Sequence, residues 1–236
     1  MKKIIICAVL VLLMPELVAQ QALRLKENFD FDWKFSLDSS RIAMDADFDD
    51  SGWEDIQLPH DWSIKLPFDR KAGGAAGFLP GGIGSYRKSF KIPASYREKK
   101  VLILFDGVYH QSEVFINGHR LGFHPYGYTG FEYDLTPYLN FGGDNLIAVR
   151  VDHSDSPTSR WYSGSGIYRH VWLQVVNPVH VSTWGTYVTT PVVDDQHAEI
   201  NIVTTIENTS LKPQKIIVSQ RIFDKEIGRA SCRERV

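Results

Sequence analysis

Apolar and polar residues alternate along much of this chain with a period of two. Residues 85–92 set Tyr86, Lys88, Phe90 and Ile92 against Ser85, Arg87, Ser89 and Lys91, which predicts a strand with one wet face. Residues 101–105 are apolar on both faces and predict a central strand. Residues 111–116 and 119–123 flank Asn117-Gly118, a two-residue hairpin signal, because both turn positions need positive φ. Residues 146–151 predict another strand. Near the N-terminus Phe29, Phe31, Trp33 and Phe35 alternate with Asp30, Asp32 and Lys34, as in a half-buried entry strand. From Gly166, Ile167, Arg169, Val171 and Leu173 share one face and Tyr168, His170 and Trp172 the other.

Helix signals are scarce. Asp134 before Thr136-Pro137 predicts only a brief turn of helix ending near Leu139. Many short strands joined by Gly-rich loops predict an all-β, antiparallel sandwich. Asn177-Pro178 marks a boundary, after which residues 179–188, 198–206 and 216–223 again read as strands.

Composition fits a globular chain: 236 residues, 43% hydrophobic and 12% aromatic, enough for one sizeable core and part of a second. The two ends depart from it. Residues 1–19 combine Lys2 and Lys3 with an apolar run and a polar exit at Gln20, which predicts a signal peptide cleaved after Ala19, with Ala22 as the alternative. The expected product is exported, periplasmic or extracellular, with no stable membrane span once the signal is removed. Residues 226–236, EIGRASCRERV, break the strand pattern, and residues 227–236 back-translate to a common sequencing-adapter read. Residues 226–236 are therefore expected not to be biological sequence.

Cys7 and Cys232, the two cysteines, fall in these end segments, so no disulfide is expected in the core. The whole chain has 26 basic and 28 acidic residues; dropping five basic and three acidic ones at the ends leaves 21 and 25, a charge of about −4. That balance gives no basic field for nucleic acid.

The candidate chemistry gathers in RWYSGSGIYRHVWL, residues 160–173. Arg160, Trp161 and Tyr162 offer a guanidinium fork and flat aromatic faces suited to a pyranose ring, while Gly164 and Gly166 permit positive φ in the loop behind them. Taken alone, aromatic residues beside a strand are more often core or loop anchors than ligand contacts. Tyr126, Tyr128 and Phe131 carry the same two readings, a sugar stack or a packed loop. His60-Asp61-Trp62 lacks a patterned nucleophile and reads as a structural turn. The glycines of residues 71–84 are not followed by Lys-Ser or Lys-Thr, which excludes a phosphate-cradling loop and predicts a long flexible one.

RWYSGSGIYRHVWL, together with LPHDWSI (58–64), GGIGSYRKSF (81–90), FDGVYHQSEVFINGHRLGFHPYGYTGFEYDLTPYL (105–139) and NLIAVRVDH (145–153), resembles the N-terminal sugar-binding domain of family-two glycoside hydrolases, in particular the bacterial β-galactosidases. The resemblance covers residues 23–177. It implies a galactose-binding-like jelly-roll sandwich, followed over residues 178–225 by an immunoglobulin-like β-sandwich of which only about half is present. It also implies retaining hydrolysis by two carboxylates on a (β/α)₈ barrel, with the active site at the barrel mouth. That barrel and its Asn-Glu dipeptide are absent from this sequence, so no catalytic residue is assigned and the chain itself is expected to be inactive. The implied partners are a β-galactoside-like glycan and the catalytic barrel of the same parent chain; no cofactor or metal is implied. Near Arg160 some relatives are acidic, which leaves the sugar open and suggests that Arg160 meets an acidic or sulfated group. A stand-alone, non-catalytic carbohydrate-binding module is the competing expectation.

Overall fold

The structure, a computed structural model, describes residues 24–37, 40–155, 160–223 and the backbone of 230–235. The expected signal peptide lies outside the described residues. Strand β1 (Arg24–Asn28) opens one sheet and β2 (Trp33–Ser36) already belongs to another. The chain turns between them at Asp32, whose φ is 57°. Phe29, Trp33 and Phe35 are buried as their alternation predicts, but Phe31 sits on this crossing and is exposed.

The sandwich is completed by β3 (Glu54–Ile56), β4 (Gly82–Lys91), β5 (Lys100–Phe105), β6 (Ser112–Ile116), β7 (His119–His124), β8 (Phe131–Asp134), β9 (Asp144–His153) and β10 (Val171–Val176). Four strands run in the order β1-β10-β5-β8 and six in the order β3-β2-β4-β9-β6-β7. Every pairing in the two sheets is antiparallel. One core fills the space between them: Val101, Ile103, Phe105, Val171 and Leu173 from the first sheet meet Trp33, Tyr86, Val114, Ile147 and Val149 from the second. Strand β5 is central, as its two apolar faces predict. Ile116 pairs with His119 across Asn117-Gly118, both at positive φ, so the predicted hairpin forms. Thr136–Tyr138 is a single 3-10 turn with Asp134 accepting from the Thr136 N–H at 2.9 Å.

Three local expectations are corrected. The predicted wet face of β4 is buried at Ser85 and Arg87, because residues 41–50 fold over it. Arg87 holds that cover in place: it donates to Asp50 Oδ2 at 2.8 Å and to the carbonyls of Ala43, Asp45, Ala46 and Phe48. Strand β10 starts at Val171 rather than Gly166. Gly166 instead forms an isolated bridge with Tyr109, so Ile167 is buried and Arg169 exposed on what should be one face. The glycine-rich loop contains two 3-10 turns, Arg70–Ala72 and Gly74–Ala76, the first capped by Asp69.

Beyond Asn177 the chain forms two two-stranded ribbons, linked by a hydrogen bond from Gln220 Nε2 to Thr204 Oγ1 at 2.9 Å. Strand β11 (Val179–Val193) pairs with β12 (Ala198–Asn208), and β13 (Ser219–Phe223) with β14 (Ala230–Arg235). Tyr187, Val188, Val193 and Val203 are exposed on the first ribbon. Strand β14 falls in the stretch whose residues broke the strand pattern; backbone pairing along an edge does not need that alternation.

Candidate functional site: a cleft at one end of the sandwich

The loop at 160–170 is anchored from below before it presents anything outward. Gly166 has φ 114° and packs so closely on the Tyr86 ring that an added Cβ would lie 2.1 Å from the phenol oxygen. Its N–H and C=O both bond to Tyr109, each at 2.9 Å. The His60 N–H donates to Ile167 O at 2.8 Å and the Trp62 N–H to Ser165 O at 3.2 Å. The LPHDWSI turn and the RWYSGSG loop are therefore zipped together along their backbones.

Asp61 completes the junction. Its Oδ1 accepts from the Ser63 N–H at 3.0 Å and the Ser165 N–H at 2.9 Å, and its Oδ2 accepts from the Tyr162 hydroxyl. Burial and this carboxylate together push the Tyr162 phenol well above its ordinary range, so Tyr162 stays a neutral donor. The neighbouring His60 and Trp62 rings are buried, and His60 Nδ1 lies 3.0 Å from the Tyr86 hydroxyl. His60-Asp61-Trp62 is thus a structural turn, with His60 Nε2 buried and without a hydrogen-bond partner.

A second chain of polar groups runs beneath the loop. Ser63 Oγ lies 2.8 Å from Pro80 O and 2.6 Å from Ser165 Oγ, which lies 2.6 Å from His153 Nδ1. The carbonyl can only accept, so Ser63 donates to it. Ser165 must then donate to Ser63, and His153 Nδ1–H donates to Ser165. The neutral His153 therefore carries its lone pair on Nε2. Burial, reinforced by the nearby His110, lowers its pKa to about 4, so it stays neutral at ordinary pH. Serine, histidine and aspartate meet here without forming a nucleophilic triad. Ser165 is fully buried, and Asp61 bonds its backbone N–H rather than the histidine.

Over this base opens a cleft of roughly 330 Å³ whose walls include Asp69, Lys71, His153, Asp155, Trp161 and Tyr162. The volume suits a sugar-sized ligand. Of the three residues named from sequence, Trp161 and Tyr162 line the cleft. Arg160 stands exposed beside it and does not. Asp61, Asp69, Lys71, His153 and Asp155 are not legible as a set, because they come from two loops and the end of β9, which only the fold brings together. Tyr126, Tyr128 and Phe131 divide between their two readings: Phe131 is buried and stacked on Phe105 with ring centroids 5.0 Å apart, and the two tyrosines are exposed. Among the described residues no three His, Cys, Asp or Glu side chains gather as a metal-ligand set.

The family model for the glycosyl hydrolases family 2 sugar binding domain matches residues 26–177. The chain is 47% identical over 205 residues to beta-galactosidase BoGH2A of Bacteroides ovatus, covering 86% of this chain and 24% of that protein. It is 33% identical over 222 residues to a beta-glucuronidase of Formosa agariphila, covering 84% of this chain and 23% of that protein. A crystal structure of a glycosyl hydrolase family 2 member from Bacteroides cellulosilyticus superposes with a TM-score of 0.80 at 40% identity, covering 89% of this chain and 28% of that one. The chain thus spans about a quarter of the length of the proteins it matches. By family match, relatives and fold alike, it belongs to glycoside hydrolase family 2 and carries that family's sugar-binding domain.

Proposed function

We propose that this chain supplies the scaffold and one lip of the saccharide cleft in an exported retaining glycosidase acting on β-galactoside-like glycans. The bond-breaking step belongs to a catalytic barrel of the same parent chain. The observation that carries the proposal is the cleft wall itself, in which Trp161 and Tyr162 stand beside Asp69, Lys71, His153 and Asp155. Aromatic faces among hydrogen-bonding groups match a pyranose, which is apolar on its ring faces and polar at its rim. Retaining hydrolysis needs two carboxylates about 5 Å apart, one as acid/base and one as nucleophile, and the barrel would supply them. Here the Tyr162 oxygen, its proton held by Asp61, and the Nε2 lone pair of neutral His153 would accept hydrogen bonds from the hydroxyls of the bound sugar.

The name of the Bacteroides ovatus relative favours a galactoside over a glucuronide. Arg160, exposed at the rim, would add affinity for an acidic or sulfated substituent. Export rests on the signal-like residues 1–19.

The test is turnover of aryl β-galactoside and aryl β-glucuronide by the purified 236-residue chain, beside a longer chain encoded at the same locus. The short chain is expected to be inert and the longer one to hydrolyse the galactoside. Hydrolysis by the short chain, with contaminating enzyme excluded, overturns the division of labour. A true stop after residue 225, with saccharide binding retained, makes the chain a binding module instead.

A further inference from the structure

Beyond the cleft, on the far side of Trp161, two more rings face solvent. Trp161 is 60% exposed, Tyr126 56% and Tyr128 39%, although Phe131 of the same segment turns inward. Exposed aromatic rings on a tethered loop have a large apolar area left unburied, which on a folded domain marks a binding surface.

These rings are held in place. The Trp161 indole N–H donates to the Tyr128 hydroxyl at 3.0 Å. Tyr128 packs edge-on against Tyr126, with centroids 5.6 Å apart, and against the buried Tyr109, 5.4 Å apart. Tyr109 is bonded at both backbone groups to Gly166 of the cleft loop. Gly127, between the two tyrosines, lies flat on the Tyr109 ring, where an added Cβ would meet a ring carbon at 2.2 Å. Its carbonyl accepts from the Tyr168 hydroxyl at 2.8 Å. The loop carrying Tyr126 and Tyr128 is thus clipped to the cleft loop at several points, and little freedom remains to be lost when a ligand stacks on it.

We propose that Trp161, Tyr128 and Tyr126 form a second saccharide subsite, continuous with the cleft, that takes a neutral sugar unit next to the one in the cleft. The inference rests on the reading of that cleft as a saccharide-binding lip. It deepens it by naming the substrate class, a galactose-capped oligosaccharide or polysaccharide rather than a small galactoside. Three observations favour a glycan over a protein partner. Trp161 belongs to both surfaces. Each exposed ring carries a polar N–H or O–H at its edge. And Tyr126 and Tyr128 are inclined at 66°, which makes a notch for one ring rather than a broad flat face.

The experiment is a titration of the full 236-residue chain, followed by tryptophan fluorescence and by NMR, with galactose and with a galactose-capped neutral tetrasaccharide. The tetrasaccharide is expected to bind about tenfold tighter, the worth of one added ring stack. Tyr126→Ala is expected to bring the ratio of the two affinities close to one. Tyr128→Phe, which keeps the ring and releases Trp161, is expected to lower it in part. Unchanged urea midpoints show that neither variant acts through misfolding. Equal affinity of the native chain for both ligands, or a ratio that survives both substitutions, overturns the subsite and leaves the cleft standing. Loss of binding to every saccharide overturns the cleft reading and the subsite with it. Self-association that Tyr126→Ala abolishes, without any gain from ligand length, assigns the rings to a second copy of the chain and overturns the subsite.

Discussion

The carboxylate of Asp61 accepts a hydrogen bond from the backbone N–H of Ser165 at 2.9 Å, across a sequence separation of 104 residues. This contact, with those to the Ser63 N–H and the Tyr162 hydroxyl, makes one side chain responsible for the shape of the cleft rim. Asp61→Ala is expected to destabilise the domain by about 2 kcal/mol, since three donors lose one ionised acceptor at once. Asp61→Asn keeps the geometry and is expected to cost about half as much, roughly 1 kcal/mol. In that variant the Tyr162 phenol, released from the charge but still partly buried, is expected to titrate part of the way back toward its ordinary pKa. Urea unfolding and absorbance titration of the phenolate measure the two effects. An unchanged Tyr162 titration would show that burial alone raises it.

Gly166 provides a sharper test of the loop anchor. Alanine there would need φ 114° and would drive its Cβ into the Tyr86 hydroxyl. Gly166→Ala is expected to cost about 3 kcal/mol and to weaken the Gly166–Tyr109 bridge. Equilibrium denaturation together with amide exchange at Tyr109 and Gly166 reads this directly, and a variant as stable as the parent would contradict it.

Arg87 is buried with its guanidinium spread across Asp50 and four carbonyls. Arg87→Ala would strand those acceptors and is expected to cost about 3–5 kcal/mol. Arg87→Lys keeps the charge but cannot match the fork, so it is expected to recover only part of the loss. Hydrogen exchange over residues 41–50 separates release of this cover from global unfolding.

Stability should fall on acidification, and the histidines set the range. His153 has a folded pKa of about 4 against an ordinary 6.5. His60 and His110 are lowered as well, each chiefly by burial. Between those pH values the unfolded chain binds more protons than the folded one, so the stabilisation is complete above about pH 6.5 and is lost as pH falls toward 4. Thermal midpoints in steps from pH 7.5 to 4 measure it. His153→Gln, which can donate from its amide toward Ser165 without titrating, is expected to flatten part of the decline.

The exposed rows on strands β11 and β12 predict a different behaviour after Asn177. Residues 179–223 are expected to exchange amide hydrogens fast and to bind a hydrophobic dye, while β5 and β9 stay protected. Slow exchange throughout residues 179–223 would show that the ribbons are stable without further strands.

The strand pattern was readable because a residue's face in a sheet follows from its place in the alternation, and Asn117-Gly118 marked its hairpin through the backbone conformations it requires. The family could be seen in the same way, since its motifs are local strings. Where a second layer intervened, alternation misled. Ser85 and Arg87 were assigned to water because nothing in their own strand announces the cover folded over them, and Gly166 was placed in a strand because its tie to Tyr109 is not local. Trp161 and Tyr162 could be named from residue type alone. The partners that turn them into a cleft could not: Asp61, Asp69 with Lys71, and His153 with Asp155 come from three segments of the chain, and hydrogen bonds and close packing across the end of the sandwich bring them together. The sequence by itself determined that the chain is a β-sandwich and where its aromatic residues fall along it. Only the tertiary structure decided which of those rings face solvent, because burial depends on contacts between segments that the order of residues leaves unspecified.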